Sequence, residues 1–203
     1  MIAVAIIASG FSRRMGRAKL TLPLGEWTFL ERAVDAATRA TLIGRCLVVL
    51  RPEDAHLLDE AGRAGVDLVP NPDAADGQSA SIRLAAARAA ADPDCAALIF
   101  SVVDQPFLEP AVFDALAAAW RSGAGDIVAS GFGGQRGNPV LFARRFFNEL
   151  QELTGDVGGR VLLQRYPALV RQVEMPDPET GRDVDTWEDY ERAVALLSTM
   201  PSP

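Results

Sequence analysis

Four stretches of this chain are apolar at nearly every position: Ile2–Ile7, Cys46–Leu50, Val66–Val69 and Ala96–Val103. A strand with one face in water alternates apolar and polar residues. A strand apolar throughout must be covered on both faces, and that requirement points to a largely parallel sheet sandwiched between helices. Helical patterns lie between the runs. Thr28-x-x-Glu31 reads as a capping box opening a helix with Leu30, Ala33, Val34 and Ala37 on one face. Pro52 starts a helix to about Ala61, Ser79–Ala91 is alanine-rich and helical, and Pro110–Arg121 follows the fourth apolar run. Farther on, Asp126–Ala129 and Pro139–Phe142 read as strands and Arg144–Leu150 and Val157–Tyr166 as helices. Val170–Val173 reads as an edge strand, and Thr186 caps a last helix to about Leu197. The 203 residues suit one large domain, placed at 1–197 with a frayed tail at 198–203.

In such a sheet, ligands gather where strands end at their carboxyl termini. The first strand runs into Ala8-Ser9-Gly10-Phe11-Ser12-Arg13-Arg14-Met15-Gly16-Arg17-Ala18-Lys19, with two glycines, two serines, three arginines and a lysine. Glycines let the backbone come close to a ligand, turn N–H groups form an anion-binding hollow, and cations neutralise phosphate. Gly10 and Gly16 have no third glycine to complete G-x-G-x-x-G, and Arg17 follows Gly16 where a P-loop needs lysine. The segment is therefore an anion-binding turn outside both named patterns, with a solvated basic turn as the plain alternative. The chain as a whole carries a net charge of −7, which argues against nucleic-acid binding and makes this cationic loop a local exception.

Other chemistry-bearing residues also follow strands. Pro70-Asn71-Pro72 and Gly77-Gln78-Ser79-Ala80-Ser81 follow the third, where the serines serve either to cap a helix or to meet a ligand's hydroxyls. Asp104-Gln105-Pro106 follows the fourth. An acidic residue leaving a buried strand presents a carboxylate to Mg²⁺, or simply forms a turn before proline. Gly133–Pro139 reads as a glycine-rich hairpin turn with one arginine, and Gly155–Gly159 as a helix-entry loop. Asp183 and Asp185 precede the last helix as metal ligands or as capping residues. The single histidine, His56, lies on a predicted helix away from these loops, so neither a Ser/His/Asp triad nor a zinc site can be built on it. Cys46 and Cys95 sit in apolar runs and read as buried thiols of a reducing cytoplasm, with a single buried disulfide as the other reading. No stretch reaches the length of a membrane span, and Met1–Ile7 has no basic segment before it, so it reads as strand and not signal peptide.

Taken in order, these motifs resemble the nucleotidyltransferases of molybdenum cofactor biosynthesis, and most closely their cytidylyltransferase branch. The resemblance rests on Ile7-Ala8-Ser9-Gly10-x-Ser12-x-Arg14-Met15-Gly16-x-x-Lys19-Leu20, Asn71-Pro72 with Gly77-x-Ser79-x-Ser81-x-Arg83, and Asp104-Gln105-Pro106. Gly134-x-Arg136-Gly137-x-Pro139, Gly155-Asp156-x-Gly158 and Asp183-x-Asp185-Thr186 extend it, so that it covers residues 2 to about 195. It implies a three-layer α/β/α Rossmann-like nucleotidyltransferase fold with a mostly parallel mixed sheet. It also implies Mg²⁺-dependent (or Mn²⁺-dependent) transfer of CMP from CTP to the terminal phosphate of molybdopterin, with release of pyrophosphate. The residues so implied are Arg14, Lys19 and Asp104 for catalysis, and Asp104 with Asp185 for the metal. Ala8, Ser9, Gly10, Ser12, Gly16, Asn71, Gly77, Ser79 and Ser81 would bind the nucleotide, and Arg136 and Asn138 the acceptor. A transient molybdoenzyme or chaperone partner is implied too. Three positions depart from the pattern: Ser9 stands for glycine or a small apolar residue, Asn138 for histidine and Trp187 for proline. A relative using GTP or another phosphorylated acceptor, and a non-catalytic cofactor carrier, are the other readings. The carrier would have no need of Asp104 and Lys19.

Overall fold

A computed structural model describes residues 1–10, 19–60 and 65–199. Its strands are β1 (Ile2–Ile7), β2 (Pro23–Leu24), β3 (Trp27–Thr28), β4 (Arg45–Leu50), β5 (Val66–Pro70), β6 (Ala97–Val102), β7 (Ile127–Phe132), β8 (Gln135–Ala143) and β9 (Val170–Glu174). The helices are α1 (Phe29–Arg39), α2 (His56–Glu60), α3 (Gln78–Ala90), α4 (Pro110–Arg121), α5 (Phe147–Gln151), α6 (Arg160–Arg165) and α7 (Trp187–Thr199). Seven strands form one sheet in the order β5-β4-β1-β6-β8-β7-β9, while β2 and β3 make a small separate hairpin. Within the large sheet β8 runs antiparallel to both its neighbours, and the other strands share one direction. The fold is thus the mostly parallel mixed sheet expected, with β9 at its edge.

Alternate residues of each inner strand feed two hydrophobic layers. Ile2, Val4 and Ile6 of β1 face Val34 of α1 and Val112, Phe113 and Leu116 of α4. Ala3 and Ala5 face the other way, into a layer with Ile82, Ala85, Ala86 and Ala89 of α3 and Phe147 of α5. Small residues on both partners let the alanine-rich α3 lie close to the sheet, which brings its first turn over the ends of β1 and β6. Helix α1 opens with the expected box: Glu31 N donates to Thr28 Oγ1 and Thr28 N to Glu31 Oε2. Thr186 likewise exchanges bonds with Asp189 ahead of α7.

Four expectations change, one of them at Arg144–Leu150, where a 3-10 turn (Arg144–Phe146) precedes the short α5. The helix from Pro52 is a 3-10 turn (Pro52–Asp54) followed by the short α2. The hairpin turn narrows to Gly133–Gly134, with positive φ at both, and residues 135–138 belong to β8. The helix predicted from Val157 starts at Arg160; ahead of it Asp156 accepts from Gln78 N, Gly158 lies against Gln78 and Gly159 against Phe142. Among the described residues, no helix is long and apolar enough to cross a membrane.

Candidate active site

Two adjoining cavities lie at the carboxyl ends of the strands. The first, about 710 Å³, is lined by Ser9 and Gly10 after β1, Lys19, the 74–78 segment, Asp104 after β6, Asp156 and Asp185. The second, about 870 Å³, has Phe100, Phe132 and Phe142 in its wall and Arg136, Asn138 and Arg160 at its polar positions. Ile7, Gln78 and Val102 border both.

Lys19 is the charge centre of the first cavity. Its side chain is 9% exposed, and Nζ lies 3.0 Å from Asp185 Oδ1 and 3.7 Å from Asp104 Oδ2. A 3-10 turn (Lys19–Thr21) carries it, with Leu20 buried in the core as an anchor. The loops that deliver the two carboxylates are tied together. Val184 N donates to Asp104 O at 2.9 Å, and Gln105 Nε2 donates to Gly181 O at 2.9 Å. Desolvation in the cleft is the main influence on Asp104. Lys19 opposes it, Asp183 and Asp185 add to it, and the carboxyl is pushed up to about 6. Asp104 Oδ1 is buried without a hydrogen-bond partner among the described residues.

That orphaned oxygen bears on a metal. Among the described residues, no group of three acidic, histidine or cysteine side chains could hold one. Two carboxylates facing a phosphate-sized cleft are nonetheless the donor set of a hard divalent cation that completes its shell with substrate phosphates and water. Asp104 and Asp185 therefore fit Mg²⁺ or Mn²⁺ shared with a nucleotide.

Beneath the cavity floor lies a buried polar knot. Asn71 is fully buried. Its Nδ2 donates to Ser81 Oγ at 2.9 Å and Ser9 Oγ at 3.3 Å, its Oδ1 accepts from Asp73 N, and its own N–H donates to Leu50 O. Ser9 and Ser81 share a further bond. The knot joins the loop after β1, the loop after β5 and the first turn of α3. It explains Ser9, whose hydroxyl departs from the family pattern: the added group is fully paired. Trp187, the other departure by size, stacks against Tyr190 with ring centroids 5.0 Å apart, and Tyr190 in turn donates to Pro23 O.

The expected residues thus divide. Lys19, Asp104, Asp185, Ser9, Gly10, Gly77 and Ser81 line the first cavity, and Arg136 and Asn138 the second. Ala8, Asn71 and Ser79 line neither. All three are buried, and Ser79 Oγ accepts from Arg83 while Gly77 precedes α3 as its cap residue. Ser12, Arg14 and Gly16 lie outside the described residues.

Gln78, Gln105 and Asp156 had no sequence-based role. Asp156 Oδ1 accepts from Gln78 N at 3.2 Å, and Gly77, at φ +97°, leaves no room for a side chain: a Cβ there would stand 2.8 Å from Asp156 Cα. The Gly-Asp-x-Gly motif at 155–158 is the sequence signal for Asp156: the loop leads into α6 as expected and also holds the first turn of α3.

A buried lysine between two carboxylates, at the carboxyl ends of a mostly parallel sheet and beside a second cavity, makes a cleft suited to an anionic ligand. The sequence matches the MobA-like NTP transferase domain over residues 4–171, and the chain belongs to that family of nucleotidyltransferases. It is 29% identical to the nicotine blue oxidoreductase of Paenarthrobacter nicotinovorans, over 93% of this chain and 94% of that protein. The crystal structure of Rv0371c from Mycobacterium tuberculosis H37Rv superposes with a TM-score of 0.83 at 30% identity, covering 96% of this chain and 97% of that one. The same mycobacterial protein in complex with manganese gives 0.76 at 29% identity, over 98% and 99%.

Proposed function

We propose that the protein, a single domain over residues 1–197, transfers CMP from CTP to the terminal phosphate of a molybdopterin-type acceptor and releases pyrophosphate. The observation that carries this reading is Lys19 held between Asp104 and Asp185 in one cavity that shares the lining residues Ile7, Gln78 and Val102 with a second. The nucleotide occupies the first cavity. Backbone N–H groups at Gly10 and Gly16 meet its phosphates, Arg14 and Lys19 offset their charge, and Ser12 donates to a phosphate oxygen. The walls formed by Gly77 and Ser81 flank base and ribose, with Asn71 and Ser79 supporting them from behind. The acceptor enters through the second cavity, its anionic group toward Arg136 and its polar edge toward Asn138.

An oxygen lone pair of the ionised acceptor phosphate attacks the α-phosphorus. The bond to the β-phosphate oxygen breaks, and pyrophosphate leaves with that electron pair. No base is required, which suits a chain whose one histidine is exposed and bonded to Glu53 O. Catalysis then rests on in-line positioning and charge stabilisation. A divalent ion held by Asp104 and Asp185 would draw off charge from the phosphate oxygens, and the manganese complex of the mycobacterial relative supports that assignment. The two cysteines, both buried and neither in a disulfide, support a cytoplasmic location, where a molybdoenzyme or its chaperone would be met.

The test mixes CTP, Mg²⁺ and molybdenum cofactor and measures pyrophosphate. A thermal-shift panel of CTP, GTP, UTP and ATP ranks the bases, since a specific ligand raises the melting temperature. The Paenarthrobacter relative's name supports a second reading, an oxidoreductase. Turnover of nicotine blue with a reductant supplied, and no pyrophosphate from any nucleotide, would replace the first.

A further inference from the structure

Among the described residues, Gln78 is the one polar side chain that borders both cavities, with the apolar Ile7 and Val102 beside it. It is the first residue of α3, and its backbone N–H is already engaged by Asp156 Oδ1. Its side chain is exposed to the cavities, and its carboxamide makes no hydrogen bond to the protein among the described residues. The chain makes room for this carboxamide at one place. Gly158 lies beneath it, and a Cβ at 158 would stand 2.6 Å from Gln78 Oε1. No positive φ requires glycine there, so the close approach of Gln78 is the constraint on record at that site.

We propose that Gln78 is a catalytic residue of the transfer, its Nε2 donating to a non-bridging oxygen of the α-phosphate at the junction of the two cavities, and that Gly158 is a positioning residue that keeps the carboxamide there. The inference rests on the nucleotidyl-transfer reading above. As the acceptor oxygen bonds to the α-phosphorus and the pyrophosphate oxygen departs, negative charge builds on the non-bridging oxygens. A neutral donor fixed at that point stabilises this charge without competing with the metal or with Lys19, and it needs no proton to change hands. Among the described residues, Lys19 and Asp104 border only the nucleotide cavity and Arg136 only the acceptor cavity. Gln78 is thus the polar side chain able to touch the group in transit.

The test is a double-mutant cycle on pyrophosphate release, with melting temperatures as the check on folding. Gln78→Ala should lower kcat by about 10²-fold, the usual effect of losing one such donor, with the KM for nucleotide little changed. Gln78→Glu should be worse than alanine, because it brings a negative charge to the phosphate. Gly158→Ala should lower kcat in the wild-type background by pushing aside the flexible end of Gln78, and should cost nothing further in Gln78→Ala. A Gln78→Ala enzyme within threefold of wild type overturns the proposal. So does a Gly158→Ala effect that persists undiminished without Gln78, which would mean that the new methyl obstructs the acceptor directly. If the wild-type protein releases no pyrophosphate, the parent reading fails and this inference with it, a result distinct from an active wild type with an indifferent Gln78.

Discussion

The two ends of the sheet handle polar groups in opposite ways. At the amino ends of the strands, Arg45 reaches both Asp67 and Asp92, and Arg88 adds a bond to Asp67. Arg144 donates to the carbonyls of Ala90, Asp92 and Cys95, and Asp114 accepts from Thr41 and Leu42. Charges there meet opposite charges or backbone dipoles, and the arrangement closes the turns between helices and strands. At the carboxyl ends, the carboxylates of Asp104 and Asp185 crowd around Lys19, while Asp104 Oδ1 and Gln105 Oε1 are buried without hydrogen-bond partners among the described residues. A buried acceptor without a donor costs about 1–3 kcal/mol. A fold that leaves such groups at one end while satisfying them at the other is keeping the first end for something that arrives from outside.

This contrast can be broken by experiment. Asp104→Ala should abolish pyrophosphate release, because it removes the carboxylate around which the unsatisfied end is built. Near-normal turnover at saturating Mg²⁺ would return that end to mere structure. Lys19→Ala should lower activity by about 10²–10³-fold with the fold intact. A loss below about threefold would make Lys19 a surface cation.

Asn71→Ala sharpens the comparison, since the knot beneath the site is satisfied in the manner of the amino end. It should cost about 1–3 kcal/mol of stability in urea unfolding, by leaving Ser9, Ser81 and Asp73 N short of a partner. A large loss of kcat without that destabilisation would show instead that Asn71 touches substrate. Asp114→Asn at the amino end should leave turnover unchanged. The burial of Asp114 acts to raise its pKa, but hydrogen bonds from Leu42 and Thr41 outweigh it and hold the carboxyl below its usual value. A carboxylate depressed in the folded state contributes stability above its unfolded pKa and loses it as pH falls through the folded one. The variant should therefore melt a few degrees below wild type at pH 7, and the gap should close below about pH 4. A gap that does not narrow at all as the pH is lowered from 7 into the acid range would mean that the carboxylate's charge is not what holds the turn.

Much of this architecture was legible in the sequence because it depends on local pattern. Apolar runs without alternation mark three inner strands covered on both faces, though the run at Val66–Val69 is the edge strand β5 with Leu68 exposed, and the Thr28–Glu31 box announces a helix wherever the rest of the chain lies. The position of Asp104, leaving a buried strand, marked it for the site for the same reason. The misreadings fall where a distant segment sets the conformation. The pattern starts a helix at Val157, yet α6 begins only at Arg160, and Asp156 is drawn to the first turn of α3, 78 residues away in sequence. Residues 135–138 looked like loop, yet β8 extends through them because Ser130, Gly131 and Phe132 of β7 lie alongside to pair.

Sequence alone therefore determined the layers, the parallel sheet and the family resemblance, since strand burial and motif order are properties of short segments. Tertiary structure decided which polar residues face a cavity and which stand behind its wall. Ser9, Asn71, Ser79 and Ser81 carry similar chemistry and sit in similar motifs. Only the packing of α3 against β1 turns Ser9, Ser81 and Asn71 into one buried knot and Ser79 toward Arg83, while it leaves Gln78 at the junction of the two cavities. The physical reason is that hydrogen-bond satisfaction depends on partners brought together from across the fold, and a sequence read along its length does not contain those distances.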